Sequence, residues 1–156
     1  MAPDSGLRRN EVSAGRFEPA DAALVFIGRI RTPWIGGSEA PRLGDQSGPT
    51  CVIEIFEPWN KALLGLEAFA QLEVLYWLDR SRRDLLLQSP ANDGAVSGTF
   101  SLRSPVRPNP IGTAIVTVDR CVGNELFVRG LDCFDRTPLL DLKPERSLIR
   151  PIAPRK

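Results

Sequence analysis

The side chains in this sequence best equipped for chemistry are arginines fixed beside prolines. In the stretch Arg103-Ser104-Pro105-Val106-Arg107-Pro108-Asn109-Pro110-Ile111-Gly112, three prolines forbid a helix and take three donors from any sheet ladder. Ser104, Arg107 and Asn109 each precede a proline and are pushed toward extended geometry. The backbone is therefore stiff before any tertiary contact forms, and it carries Arg103 and Arg107 with little entropy left to lose. Rigid guanidinium forks suit carboxylates and phosphates, whose recognition is bidentate and directional. Pro41-Arg42 repeats the pairing of an arginine with a proline. The pattern leaves two readings open. Arg42, Arg103 and Arg107 converge into an anion clamp, or they are solvated side chains on proline-rich corners.

Other constellations carry less. The chain of 156 residues has no histidine, which removes Ser-His-Asp and Cys-His chemistry and the commonest transition-metal ligand. An enzyme of this composition would run a reaction that needs little proton shuttling. Asp132, Asp135 and Asp141 lack the ligand spacing of a calcium loop, so no metal is expected. Arg80, Arg82 and Arg83 read as a solvated turn. Trp34, at the end of a strand, is either a rim aromatic or a stacking surface for a base. Cys51, Cys121 and Cys133 are odd in number and show no CxxC spacing, which fits small buried hydrophobes in a reducing cytoplasm.

The elements that must position these residues are short strands. They are expected at 23–30, 51–56, 72–78, 85–88, 111–118, 125–131 and 139–144, with Gly123-Asn124 as a hairpin turn. One short helix runs from Pro58 to Leu64, stopped by Gly65. The loop from Gly36 to Pro49 is long enough to be functional. With no βαβ alternation, GxGxxG or Walker loop, the fold class is mainly β, a small antiparallel closed or nearly closed β-barrel with one short helix. The expected organisation is a disordered N-terminal arm at 1–20, a barrel domain at 21–145 and a loose basic tail at 146–156. No segment approaches the ~20 apolar residues of a membrane span, and the first twenty residues do not read as a signal peptide. The net charge of +1 restricts any nucleic-acid site to a local patch.

The run Gly98-Thr-Phe-Ser-Leu-Arg-Ser-Pro-Val-Arg-Pro-Asn-Pro-Ile-Gly112 resembles the signature of the TsaA-like family, also called the YaeB or TrmO family. Three further segments fall in the family's order: Ile27 to Trp34, Leu64 to Phe69, and Leu131 to Pro144. The resemblance implies a small dimeric β-barrel that binds S-adenosylmethionine near the subunit interface. The reaction it implies is N6-methylation of threonylcarbamoyladenosine beside the anticodon of tRNA. It points to Pro41, Arg42, Leu43, Asp79, Arg80, Arg103, Thr113, Leu131, Asp132, Cys133 and Phe134 as cofactor positions, and to Arg107, Asn109 and Lys143 on the substrate side. Leu43 stands where the family has glutamine, Asp79-Arg80 where it often has His-Gln, Arg136 where it has glycine, and Glu145 where it has tyrosine.

On this reading catalysis is by positioning alone. Arg103, with Arg42 or Arg80, holds the carboxylate or ribose side of the cofactor, and the 131–134 turn receives the adenine. Two alternatives remain: a module that binds S-adenosylmethionine without transferring its methyl group, and a methyltransferase for a different acceptor. The expected partners are a second copy of the chain and tRNA, with no membrane and no metal, in the cytoplasm.

Overall fold

The computed structural model describes residues 6–15 and 21–148. The expected arm at 1–20 and tail at 146–156 therefore lie partly outside the described residues. The chain divides into two compact units, one formed by 1–23 with 78–111 and the other by 24–77 with 112–156.

The second unit is the barrel. Its strands are β2 (Gly28–Arg31), β3 (Cys51–Ile55), β4 (Gln71–Trp77), β7 (Ile111–Val122), β8 (Glu125–Arg129) and β9 (Thr137–Pro144). They close in the order β2-β3-β8-β7-β4-β9, and the β2–β3, β2–β9, β3–β8, β4–β9 and β7–β8 ladders are antiparallel. Closure removes free edges that would otherwise template aggregation. Alternation dictates the interior. Ile30, Cys51, Ile53, Ile55, Leu72, Val74, Tyr76, Val116, Leu126, Val128 and Leu139 point inward and are fully or almost fully buried. Each aliphatic side chain so buried contributes about 1.5–3 kcal/mol relative to exposure.

The expected hairpin at Gly123-Asn124 joins β7 to β8. The expected short helix is a 3-10 turn, Trp59–Leu63. The first barrel strand is shorter than its apolar run suggests. Leu24, Val25 and Phe26 are exposed, and the ladder with β3 begins only at Gly28, opposite Ile55.

The first unit holds a three-stranded sheet in the order β1-β5-β6, formed by Val12–Ser13, Leu85–Gln88 and Ser97–Gly98. Part of the stretch expected to be an arm is thus a strand, and its order has a local cause. The Arg8 guanidinium donates to the carbonyls of Ser89 (2.9 Å) and Pro90 (3.1 Å), and the Ser89 N–H donates to Glu11 at 3.0 Å. Among the described residues no helix is long and apolar enough to cross a membrane.

Candidate functional site

The proline-rich signature raises an accounting problem. Its carbonyls outnumber its backbone donors, and buried carbonyls must find partners. Side chains supply them. Arg107 donates to the carbonyls of Leu102 (2.9 Å) and Ser104 (3.0 Å). Gln88, buried at the end of β5, donates to the Val106 carbonyl at 2.7 Å and to Thr99 Oγ1 at 2.9 Å. Arg83 donates to the Pro108 carbonyl at 2.6 Å. The Leu78 N–H takes the carbonyl of the buried Pro110 at 2.8 Å. Thr99 donates onward to the Leu85 carbonyl at 2.6 Å, so the start of the signature is pinned to β5.

The two signature guanidiniums therefore have different fates. Arg107 is half-buried and holds its own loop. Arg103 is exposed and has no hydrogen bond or ion pair among the described residues. Asn109 is exposed and its side-chain oxygen faces Arg83 at 3.4 Å. Asp79 and Arg80 are exposed in the turn after β4.

On the barrel unit, the loop between β2 and β3 folds back to form a cleft of about 180 Å³. Trp34, Glu39, Pro41, Asp45 and Pro49 line it from the loop, and Gly130 and Leu131 line it from the end of β8. Backbone contact makes this possible: a β-carbon at Gly44 would lie 1.7 Å from the Gly130 carbonyl oxygen, so only glycine fits. Gln46 then bolts the loop to β7. Its amide donates to the Ile115 carbonyl at 2.5 Å and accepts from Thr117 Oγ1 at 2.6 Å, while Arg129 donates to its backbone carbonyl at 2.5 Å. Arg129 is held in turn by Asp119.

The run from Leu131 to Phe134 follows. Leu131 and Cys133 are buried. The Tyr76 hydroxyl donates to Asp132 Oδ1 at 2.5 Å, and the Cys133 carbonyl accepts from Thr32 Oγ1 at 2.9 Å. Burial pushes the Cys133 thiol up to about 12 and the Cys51 thiol up to about 11, so both stay protonated and apolar. Cys121, by contrast, is exposed on β7, which corrects the expectation that all three cysteines are buried. It lies late on β7, where the residues face solvent.

Of the expected positions, the structure brings Pro41 and Leu131 together on the cleft. Arg42 and Leu43 lie exposed beside it in sequence, and Arg42 has no partner among the described residues. Thr113 is exposed on β7. Lys143 is exposed on β9 and pairs with Asp141 at 2.5 Å. Sequence reasoning missed Glu39, Asp45 and Gln46. A lone polar residue in a Gly/Ser/Pro-rich loop has no periodicity to reveal it, and the role of Gln46 exists only through a β7 carbonyl far along the chain. Among the described residues no group of three or more cysteine and carboxylate side chains could hold a metal ion.

A closed six-stranded antiparallel barrel with a lateral cleft built by one loop defines a small β-barrel protein. The model of the tRNA-methyltransferase O N-terminal domain family matches residues 29–147, and the chain belongs to that family. It is 60% identical over 148 residues to the probable S-adenosyl-L-methionine-binding protein VirR of Rhizobium radiobacter, covering 95% of this chain and 85% of that protein. It is 36% identical over 93 residues to the mouse tRNA (adenine(37)-N6)-methyltransferase, covering 58% of this chain and 22% of that enzyme. The crystal structure of TrmO from Pseudomonas aeruginosa matches with a TM-score of 0.67 and 25% identity, over 88% of this chain. The chain spans 62% of the length of that structure.

Proposed function

We propose that this protein binds S-adenosylmethionine and transfers its methyl group to tRNA, at N6 of threonylcarbamoyladenosine beside the anticodon. The observation that carries the reading is that Pro41 and Leu131, ninety positions apart in the chain, line one cleft. The relative at 60% identity is named for binding S-adenosylmethionine, and the mouse relative for adenine N6 methylation of tRNA.

The residues fit such a ligand. Trp34, Pro41, Pro49 and the buried Leu131 give the cleft apolar lining beside the carboxylates of Glu39 and Asp45. Arg42 and Arg103, exposed and without described partners, are each suited to a carboxylate. When bound, S-adenosylmethionine supplies a methyl group on a sulfonium whose thioether departs without protonation. The protein's contribution is then orientation, which alone is worth up to ~7–11 kcal/mol. A chain without histidine can do this.

A cleft of about 180 Å³ is smaller than the ~300–1,000 Å³ of pockets that enclose a drug-sized ligand. We infer that a second copy supplies further wall, giving a homodimer. The described cysteines are all free thiols, in keeping with a reducing cytoplasm.

The test is tritiated methyl incorporation into bulk tRNA of the source cell, followed by nucleoside analysis. Label in N6-methylated threonylcarbamoyladenosine supports the reading; label only in a non-tRNA fraction would assign a different acceptor. A second reading, binding without transfer, is favoured by Leu43, 73% exposed in the cleft loop where the family carries glutamine. Retained cofactor binding with no incorporation into any fraction would establish it.

A further inference from the structure

Residues 6–15 lie ahead of the range 29–147 that the family model matches, yet they are tied at several points to the unit that carries the signature. Both backbone groups of the fully buried Ser89 are taken by this segment. Its N–H donates to Glu11 Oε1 at 3.0 Å, and its carbonyl accepts from the Arg8 guanidinium at 2.9 Å. Glu11 also accepts the Arg8 N–H at 2.9 Å. The Ser89 and Arg8 N–H groups hold the Glu11 carboxyl below its ordinary range, so it is ionised and its bonds are charge-assisted. Further along, the Ser13 hydroxyl donates to Asp84 Oδ2 at 2.5 Å, and the Ala14 N–H donates to the Asp84 carbonyl at 2.6 Å. The Asn10 amide donates to the Gly94 carbonyl at 2.9 Å.

Strand order carries these contacts to the signature. β5 lies between β1 and β6, and β6 runs straight into the signature's 3-10 turn at Thr99–Ser101. β6 gives β5 only the pairs Leu87–Gly98 and Gln88–Ser97, and a two-stranded hairpin is marginal in water. β1 supplies the third strand through Val12–Leu87 and Ser13–Leu85. β5 then grips the signature directly, since Gln88 donates to the Val106 carbonyl and Thr99 Oγ1, and the Leu85 carbonyl receives the Thr99 hydroxyl. Leu7 and Val12 are exposed, so polar bonds rather than apolar burial attach the segment.

We propose that residues 8–14 form an intramolecular strap that positions the signature loop, with Glu11 and Ser13 as positioning residues acting through β5 on the loop that carries Arg103. With the strap docked, Arg103 is presented from an ordered loop. With the strap released, that loop must be ordered again on binding, at a cost in affinity. The effect on the loop stands on the contacts alone, and its consequence for the cofactor rests on the S-adenosylmethionine reading.

The test uses the full chain with two variants: the double substitution Glu11→Ala, Ser13→Ala, and the single Glu11→Gln, which keeps an acceptor for the Ser89 N–H. Amide exchange reads the loop at Leu102 and Val106, whose N–H groups donate to the Thr99 carbonyl and to Ser104 Oγ. Calorimetry reads S-adenosylmethionine. In the double variant, exchange at Leu102 and Val106 should rise about 5- to 150-fold. Ile53 and Leu126, paired and buried in the barrel, should keep their protection. Cofactor affinity should fall roughly 2- to 10-fold, and Glu11→Gln should show little of either effect. Unchanged exchange at Leu102 and Val106, or protection lost equally at Ile53 and Leu126, would overturn the strap as a positioning device. A loosened loop with unchanged affinity would overturn its part in binding. Absence of binding to the unmutated protein would instead refute the S-adenosylmethionine reading and leave the exchange result to decide the strap.

Discussion

Gly112 lies against the face of Tyr76: a β-carbon at 112 would sit 2.2 Å from Cε2 of the ring and 2.7 Å from Cδ2 and Cζ. The last residue of the signature is therefore a packing requirement of the barrel. Tyr76 is 3% exposed and cannot retreat, because its hydroxyl is committed to Asp132. Gly112→Ala should destabilise by the ~1–3 kcal/mol typical of core overpacking, read as a lowered urea midpoint. An unchanged midpoint would mean that the ring has room to move.

The two signature arginines should separate by what their loss affects. Arg107→Ala leaves the Leu102 and Ser104 carbonyls without their donor, and should cost about 1.5–3 kcal/mol of stability. Arg103 is exposed and has no hydrogen bond or ion pair among the described residues, so Arg103→Ala should stay within ~0.5 kcal/mol of the unmutated stability. It should nevertheless remove the stabilisation by S-adenosylmethionine, ~2.7 kcal/mol at a hundred times the dissociation constant. Thermal unfolding of both variants with and without cofactor reads the two effects together. A stable Arg107→Ala and an unstable Arg103→Ala would reverse the assignment.

What was legible beforehand follows from how each feature is encoded. Strand alternation writes Leu72, Val74 and Tyr76 into the sequence as one face, so the barrel could be read locally. The proline stiffness of the signature was equally local. The division of labour between Arg103 and Arg107 was not, because it depends on which carbonyls the folded loop leaves unpaired. The strand at Val12–Ser13 was hidden for a similar reason. Two residues carry no period, and their order comes from partners at 84 to 90. In the cleft, Pro41 and Leu131 were reachable through family resemblance, whereas Glu39 and Gln46 matter only by where the loop lands.

Acid should loosen the unit that carries the signature through Asp84. The Arg82 guanidinium, seconded by the Ser13 hydroxyl, holds the Asp84 carboxyl well below its ordinary value of 3.8. A depressed folded-state value means that the contribution is complete above the unfolded value. It is lost progressively as pH falls below about 4 toward the folded value. The unmutated protein should therefore lose more stability between pH 5 and pH 3 than Asp84→Asn does. Parallel urea midpoints for the two proteins across that interval would refute the linkage.

The loop that carries Pro41 and Arg42 should depend on Gln46 for its order. This one side chain bridges the Ile115 carbonyl and the Thr117 hydroxyl, and its backbone carbonyl receives Arg129. Gln46→Ala removes the side-chain bridges but leaves the Arg129 bond and the Gly44–Gly130 approach in place. Global stability should fall by only ~1 kcal/mol, the net worth of a hydrogen bond or two. Local order should suffer more, because the loop has few apolar contacts to hold it otherwise. Amide exchange in residues 36–50 should rise while exchange in β3 and β8 stays slow. Cofactor affinity should drop several-fold, since a mobile loop must be ordered again on binding. If the loop amides keep their protection in Gln46→Ala, then the glycine contact alone positions the cleft and Gln46 is dispensable.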